Sequence, residues 1–329
     1  MSSLAGIVLP HPSESADHAR LRREAWAAWR RILEGQRWRS TPAGPRPQDG
    51  GRITEGAIRA FALAMRAAGL YRHGYRNTIE VRRVELELTC PGLPRPFDGF
   101  RILHVTDPHF DLCDGLADAI NEAVAGSPAD ICVLTGDYRA ACSGPHRQAI
   151  DALERLLPCL DTPLGVWATL GNHDCLDMVE PIEGLGIRLL INETATLRRG
   201  EAELRLVGLD DVHTFHTPLA DEALAFHAPA DPRVFALALV HSPDMASRAA
   251  RLGYGLYLCG HTHGGQICLP GGRPLMTHLD SHRAYARGGG WRIGAMHGYT
   301  SCGAGASSVP LRYWTQSEVT RVTLKCGTG

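Results

Sequence analysis

Lysine is all but absent from this chain: Lys325 is the only one in 329 residues, and every other one of its 34 basic side chains is arginine. A P-loop, a Schiff base and a lysine general base are thereby excluded, and the arginine excess itself reads as a coding bias. Paired cysteines are lacking too. None of the ten cysteines stands in a C-x-x-C spacing, and several lie inside apolar runs, as Cys132 does in Ile131-Cys132-Val133-Leu134. That usage fits reduced, buried thiols in a cytosolic chain. No run of roughly 18 apolar residues exists to span a bilayer. The start shows no basic segment followed by an apolar one, so neither a secretory nor a twin-arginine leader is expected. A formal net charge of −1 gives no global field, and no nucleic-acid partner is expected.

What is present begins with a basic amphipathic segment. Leu21, Ala25, Ala28, Trp29 and Ile32 fall at helical spacing over residues 17–34, among Arg20, Arg22, Arg23, Arg30 and Arg31. Such a stripe ordinarily packs on the body of a protein; a foot on anionic lipid is the alternative. Pro42, Pro45 and Pro47 then make a linker, and Thr54 is expected to cap a second helix that ends at Gly69. Ile79–Leu88 alternates like a strand. From residue 100 onward strand and helix patterns alternate. Strands are expected at Arg101–Val105, Ile131–Thr135, Leu164–Leu170, Leu204–Leu209, Phe235–Val240 and Gly255–Cys259, which is layered α/β. Ile187–Ile191, Thr194–Leu197 and Leu204–Leu209 read as antiparallel, so a second sheet packed on the first is expected.

Five polar clusters follow these apolar runs: Asp107-Pro108-His109, Gly136-Asp137, Gly171-Asn172-His173-Asp174, His241 and Gly260-His261-Thr262-His263. Side chains at the carboxyl ends of adjacent strands converge on one crevice. Asp107 and His109, two apart, point the same way if the strand end is extended. Asp137 has a second carboxylate oxygen with which to bridge two cations. Asn172 offers a neutral amide oxygen, while His173 beside Asp174 suggests an imidazolium held protonated and ready to protonate a leaving oxygen. His241, His261 and His263 supply imidazoles, with Gly260, Gly264 and Gly265 leaving room for substrate. Any one of these residues alone reads as a turn or satisfied polar residue; seven ligand types at five strand ends read as a dinuclear centre. His213, His216 and Arg139 read as surface polar residues, with a place in the pocket as the alternative. His104 reads as core, and Cys175 and Cys259 as structural neighbours of ligands.

These motifs resemble those of the calcineurin-like metallophosphoesterase superfamily. The resemblance implies a four-layer α/β/β/α sandwich of two mixed sheets flanked by helices at 79–329, preceded by a helical extension and linker at 1–78. It implies two divalent transition-metal ions (manganese, iron or zinc). Asp107, His109 and His263 would hold the first, Asn172, His241 and His261 the second, and Asp137 would bridge them. His173 would be the acid, oriented by Asp174. The implied activity is hydrolysis of a phosphodiester or pyrophosphate bond by a metal-bridging hydroxide. The alternatives are a non-catalytic metal-binding scaffold on the same fold, or a phosphomonoesterase or protein phosphatase. Gly264-Gly265-Gln266-Ile267, Thr300-Ser301-Cys302-Gly303-Ala304-Gly305 and Pro310-Leu311-Arg312 are similar to a bacterial branch that includes membrane-associated phosphodiesterases and UDP-diacylglucosamine hydrolases. The expected substrate is a small-molecule phosphoester, a lipid-linked one among the candidates. The expected location is cytoplasmic, with peripheral contact to the inner membrane through the N-terminal basic helix as the alternative to a packed extension. That branch's usual Pro-Glu near the end is Ser317-Glu318 here, a departure expected to touch only a terminal strand.

Overall fold

A computed structural model describes residues 6–8, 16–47, 51–231, 233–277, 279 and 282–327. Two large sheets face each other. The first has the order Arg82–Cys90, Glu318–Cys326, Arg101–Val105, Ile131–Thr135, Val166–Thr169 and Arg188–Leu189. The second runs Gly6–Val8, Glu193–Arg199, Ala202–Gly208, Val234–Leu239, Leu256–Cys259, Met296–Thr300 and Gly289–Ile293. Both are mixed: Glu318–Cys326, for instance, pairs parallel to Arg82–Cys90 and antiparallel to Arg101–Val105.

The central strands are apolar at nearly every position because both of their faces are buried. Ile131, Val133 and Trp167 point between the sheets, where they meet Leu204, Leu206, Leu237 and Leu258. Cys132, Leu134 and Ala168 point outward, against Leu116 and Ile120 of one helix (Leu116–Val124) and Leu153 and Leu156 of another (Arg147–Leu156). On the far side, Ala236, Ala238 and Tyr257 meet Ala220 and Leu224 of the helix Pro218–Phe226 and Ala249 of the helix Ala246–Arg251. The expected α/β/β/α order of layers is present.

Among the described residues, three helices precede the first long strand: α1 (Ala16–Glu34), α2 (Gly51–Ala67) and α3 (Tyr71–Ile79). Helix α1 docks, though not by its expected stripe. Trp26, Arg30 and Leu33 are buried, whereas Leu21, Trp29 and Ile32 are about half exposed at 52%, 48% and 56%. The indole of Trp26 donates to Asp210 Oδ2 at 2.6 Å and Arg30 donates to Asp210 Oδ1 at 2.6 Å. A fully satisfied polar anchor thus settles which face turns inward, and hydrophobic periodicity could not register it.

Other boundaries also moved. Helix α2 begins at Gly51, so Thr54 lies inside it and is no cap. Ile79 ends α3 instead of opening a strand, which starts at Arg82. The buried face of α3 is Gly74, Asn77 and Thr78, small and polar, so it carries no apolar period. Arg188–Leu189 pairs parallel to Val166–Thr169 in the first sheet. The chain then crosses to the second sheet at Asn192, whose φ is 57°, so the expected three-stranded antiparallel unit is divided between the two sheets.

Candidate metal centre

Strands of both sheets deliver their carboxyl ends to one place. Arg101–Val105, Ile131–Thr135 and Val166–Thr169 are parallel neighbours in the first sheet and lead to Asp107 and His109, to Asp137, and to Asn172. Val234–Leu239 and Leu256–Cys259 are parallel neighbours in the second and lead to His241 and to His261 and His263. The turns that follow are tight. Asp107, His109, Asp137, His261 and His263 all have left-handed backbone, with φ of 49°, 39°, 58°, 68° and 51°. Such conformations cost a non-glycine residue on the order of 1–3 kcal/mol each and persist where surroundings over-determine them. The surroundings do so here: Asp107 N–H donates to the Gly136 carbonyl at 3.0 Å, His109 N–H to Asp137 at 3.1 Å, and Gly260 N–H to His241 at 2.8 Å. Asp107 and His109 therefore converge through strained turns and not, as expected, through extended alternation.

The seven expected ligands come together in two groups sharing Asp137. In the first, Nε2 of His263 lies 3.4 Å from Asp107 Oδ1 and 3.2 Å from His109 Nε2, which is 3.7 Å from Asp137 Oδ2. In the second, His241 Nε2 is 3.3 Å from Asp137 Oδ2, 3.1 Å from Asn172 Oδ1 and 3.2 Å from His261 Nδ1, and the last is 2.9 Å from Asn172 Oδ1. The chemistry of these donors fits cations. His109 and His241 donate their Nδ1 hydrogens to the carbonyls of Arg139 and Thr135, each at 2.8 Å. The inward Nε2 atoms are then aimed at one another and at carboxylates; burial opposes a proton on His241, yet the Asp137 carboxylate beside it holds that ring well above the usual imidazole range. Burial pushes His109 down to about 3, so its ring is neutral near pH 7. Burial also pushes Asp107 up to about 6, the cost of keeping a carboxylate in this interior. Divalent ions bound by imidazole nitrogen and carboxylate oxygen at about 2.0–2.2 Å would draw such atoms together and relieve that cost.

His173 stands beside both groups, its Nε2 3.9 Å from Asp137 Oδ2. Burial opposes its protonation, but the Asp137 carboxylate, Cys142 and the Ala140 carbonyl together outweigh burial and raise it to about 10. Asp174 does not orient this ring. Its carboxylate accepts the backbone N–H groups of Asp137, Tyr138 and Gly171 at 2.8, 2.9 and 2.8 Å, and the Ala140 carbonyl, 2.7 Å from His173 Nδ1, holds the imidazole instead. Asp174 is thus a clamp between two loops.

Further expectations are corrected. Arg139 is buried, donating to the carbonyls of His173, Gly144 and Cys142. His213 is buried too and lines the cleft, its ring 4.1 Å from that of His261, whereas His216 is turned to Asp221 at 2.9 Å. The glycines make room for protein and not for substrate: a side chain at Gly260 would meet Asp107 and Thr106, one at Gly264 would meet Cys302, and one at Gly265 would meet Pro274. Glu318 does more than open a terminal strand. It accepts Tyr299 O–H at 2.8 Å and Cys302 N–H at 3.0 Å, fixing the loop beneath His263. His104 is core, with Nε2 2.8 Å from Thr135 Oγ1.

Three arginines were given no part in the site by the sequence. Arg30 donates to the Asp174 carbonyl at 2.6 Å, Arg312 donates to the His263 carbonyl at 3.0 Å, and Arg39 lines the cleft. Among 33 arginines nothing in the pattern separates Arg30 and Arg39 from surface ones, and Arg312 stood out only as part of Pro310-Leu311-Arg312. The cleft above the two groups encloses about 620 Å³.

A family model described as calcineurin-like phosphoesterase matches residues 100–265. The chain is 32% identical over 290 residues to the metallophosphoesterase YkuE of Bacillus subtilis, covering 82% of this chain and 94% of that protein. It is 31% identical over 239 residues to the phosphodiesterase YaeI of Escherichia coli, with 68% and 82% covered. It is 24% identical over 272 residues to UDP-2,3-diacylglucosamine pyrophosphatase LpxG of Chlamydia trachomatis, with 65% and 79% covered.

Proposed function

Since the chain belongs to the calcineurin-like phosphoesterase family and is a metallophosphoesterase, we propose that it hydrolyses a phosphodiester or pyrophosphate bond at a dinuclear centre. The observation that carries this is the place of Asp137 Oδ2 between the two groups, 3.7 Å from His109 Nε2 and 3.3 Å from His241 Nε2, with His173 Nε2 3.9 Å from the same oxygen. Asp107, His109 and His263 would hold one ion, Asn172, His241 and His261 the other, and Asp137 both. Divalent ions there would supply Lewis acidity, lowering the pKa of water and offsetting charge that builds on the phosphoryl oxygens. The chain supplies the remainder. His173, its Nδ1 hydrogen held by Ala140, presents Nε2 toward the cleft and can protonate the leaving oxygen. The rings of His109 and His241 are fixed by backbone carbonyls, so the site is preorganised.

A substrate with a lipid portion is favoured by the rim. Leu275 and Met276 line the cleft and are 57% and 59% exposed, and the resemblance to a diacylglucosamine pyrophosphatase points to the same class. Helix α1 adds a surface for reaching such a substrate. Its outward stripe of Leu21, Trp29 and Ile32, continued by Trp38 at 55% exposure, suits peripheral contact with a membrane. No helix of the described residues is long and apolar enough to cross one.

The test is a substrate panel with manganese-loaded protein: alkyl and nitrophenyl phosphodiesters, monoesters, and UDP-linked pyrophosphates with and without acyl chains. Turnover of diesters or pyrophosphates above monoesters is expected. Monoesters as the only substrates would point to a phosphomonoesterase or protein phosphatase, and no turnover with metal bound would point to a scaffold.

A further inference from the structure

The cleft has a cationic wall that the metal ligands do not explain, and it comes from the N-terminal extension. Residues Trp38–Thr41 and Gly44–Pro47 form a hairpin. Ser40 clips it to the body three times: its N–H donates to Thr214 O at 2.8 Å, its carbonyl accepts from His216 N–H at 3.0 Å, and its hydroxyl donates to His216 O at 2.7 Å. The neighbouring residue, Arg39, therefore leaves a fixed backbone and reaches into the cleft that Asp137, Asn172, His173 and His261 also line.

The guanidinium is aimed by a relay. Arg39 Nη1 lies 2.6 Å from His213 Nε2, and His213 Nδ1 lies 3.0 Å from Asp244 Oδ2. A carboxylate only accepts and a guanidinium only donates, so His213 carries its hydrogen on Nδ1 and takes Arg39 on Nε2. The arginine keeps its positive charge throughout. The His213 ring packs against His261 at 4.1 Å, which sets that charge directly beside the second ligand group.

We infer that Arg39 is a specificity-determining residue that recognises a second anionic group on the substrate, the neighbouring phosphate of a pyrophosphate, adjoining the phosphoryl group seated over the metal ligands. The inference rests on the proposed hydrolase function and narrows it, from phosphoesters in general to those with two adjacent anionic groups. A guanidinium suits that task because its planar fork donates to two oxygens at once. Arg283, the other arginine of the cleft, is exposed and donates to the Leu279 carbonyl at 3.2 Å. It lacks the relay that fixes Arg39.

The experiment is calorimetric titration of manganese-loaded protein with two probes that are not turned over, methylenediphosphonate and methylphosphonate. Wild type is expected to prefer the diphosphonate. Arg39→Met should weaken it about tenfold or more, one charge-assisted contact, and weaken methylphosphonate by less than about threefold. Arg39→Lys should fall between, and His213→Gln should weaken the diphosphonate while leaving the melting temperature within a few degrees. Equal weakening of both probes by Arg39→Met, or no preference in wild type, would overturn the inference. If wild type prefers the diphosphonate through Arg39 yet hydrolyses nothing in the substrate panel, the hydrolase reading fails and the anion site stands.

Discussion

Replacing Arg30 with methionine removes a cation from a site closed to solvent. Arg30 is fully buried and Asp210 is 2% exposed. Their contact is 2.6 Å, the guanidinium lies 3.7 Å above the Phe215 ring, and its remaining donors go to Glu34 at 2.8 Å and the Asp174 carbonyl at 2.6 Å. Removing one partner of such a pair strands the other and costs about 3–5 kcal/mol, which for a chain of this size lowers the melting temperature by on the order of 10 °C. Urea unfolding followed by tryptophan fluorescence measures it. Arg30→Met/Asp210→Leu should recover a large part of the loss, since two apolar groups leave nothing unpaired. The loss should also depend on pH. Burial raises Asp210 and Arg30 opposes that rise, so without Arg30 the carboxyl rises further. A group raised on folding contributes stability below its unfolded value and loses it as pH climbs through the folded one. The penalty should therefore be smaller at about pH 5 than at about pH 8. A loss under about 1 kcal/mol, or one larger in acid, would refute this reasoning.

His173→Asn should keep the metal content and lower turnover about 10²–10⁴-fold for alkyl esters, with a smaller loss for a nitrophenyl ester whose leaving oxygen needs no proton; paired kinetics on the two esters decide it. Gly260→Ala should lower metal content and activity together, because the new methyl group meets the Asp107 carboxylate, and elemental analysis beside the assay separates that from simple unfolding. Binding to anionic liposomes should weaken with salt and fall in Trp29→Gln/Ile32→Gln, while turnover of a small diester is kept, because neither side chain packs in the core; co-sedimentation unchanged by the pair would remove α1 as the contact.

The convergence of the seven candidate residues was legible because they follow apolar runs, and a run followed by aspartate or histidine is visible without knowing the turn between. The fold class was legible for a related reason: strands such as Ile131–Thr135 are buried on both faces and leave an unbroken apolar signature. The docked face of α1 was not, since Trp26 and Arg30 are held by hydrogen bonds to Asp210 that carry no period in sequence. Nor was α3, whose buried face is glycine, asparagine and threonine. Asp174 was misjudged because a carboxylate that accepts backbone N–H groups has no mark in sequence to distinguish it from one that orients a side chain. Arg39 was hidden in a linker, and only the clip at Ser40 brings it to the cleft.

The most direct measurement is metal content per chain in protein purified without chelator, wild type against Asp137→Asn. Wild type should carry about two transition-metal equivalents, and the variant, still folded, should lose both, since one carboxylate serves both groups. A folded wild-type protein without metal, or a variant that keeps its full complement, would contradict the account of Asp137 as the residue on which the centre is built.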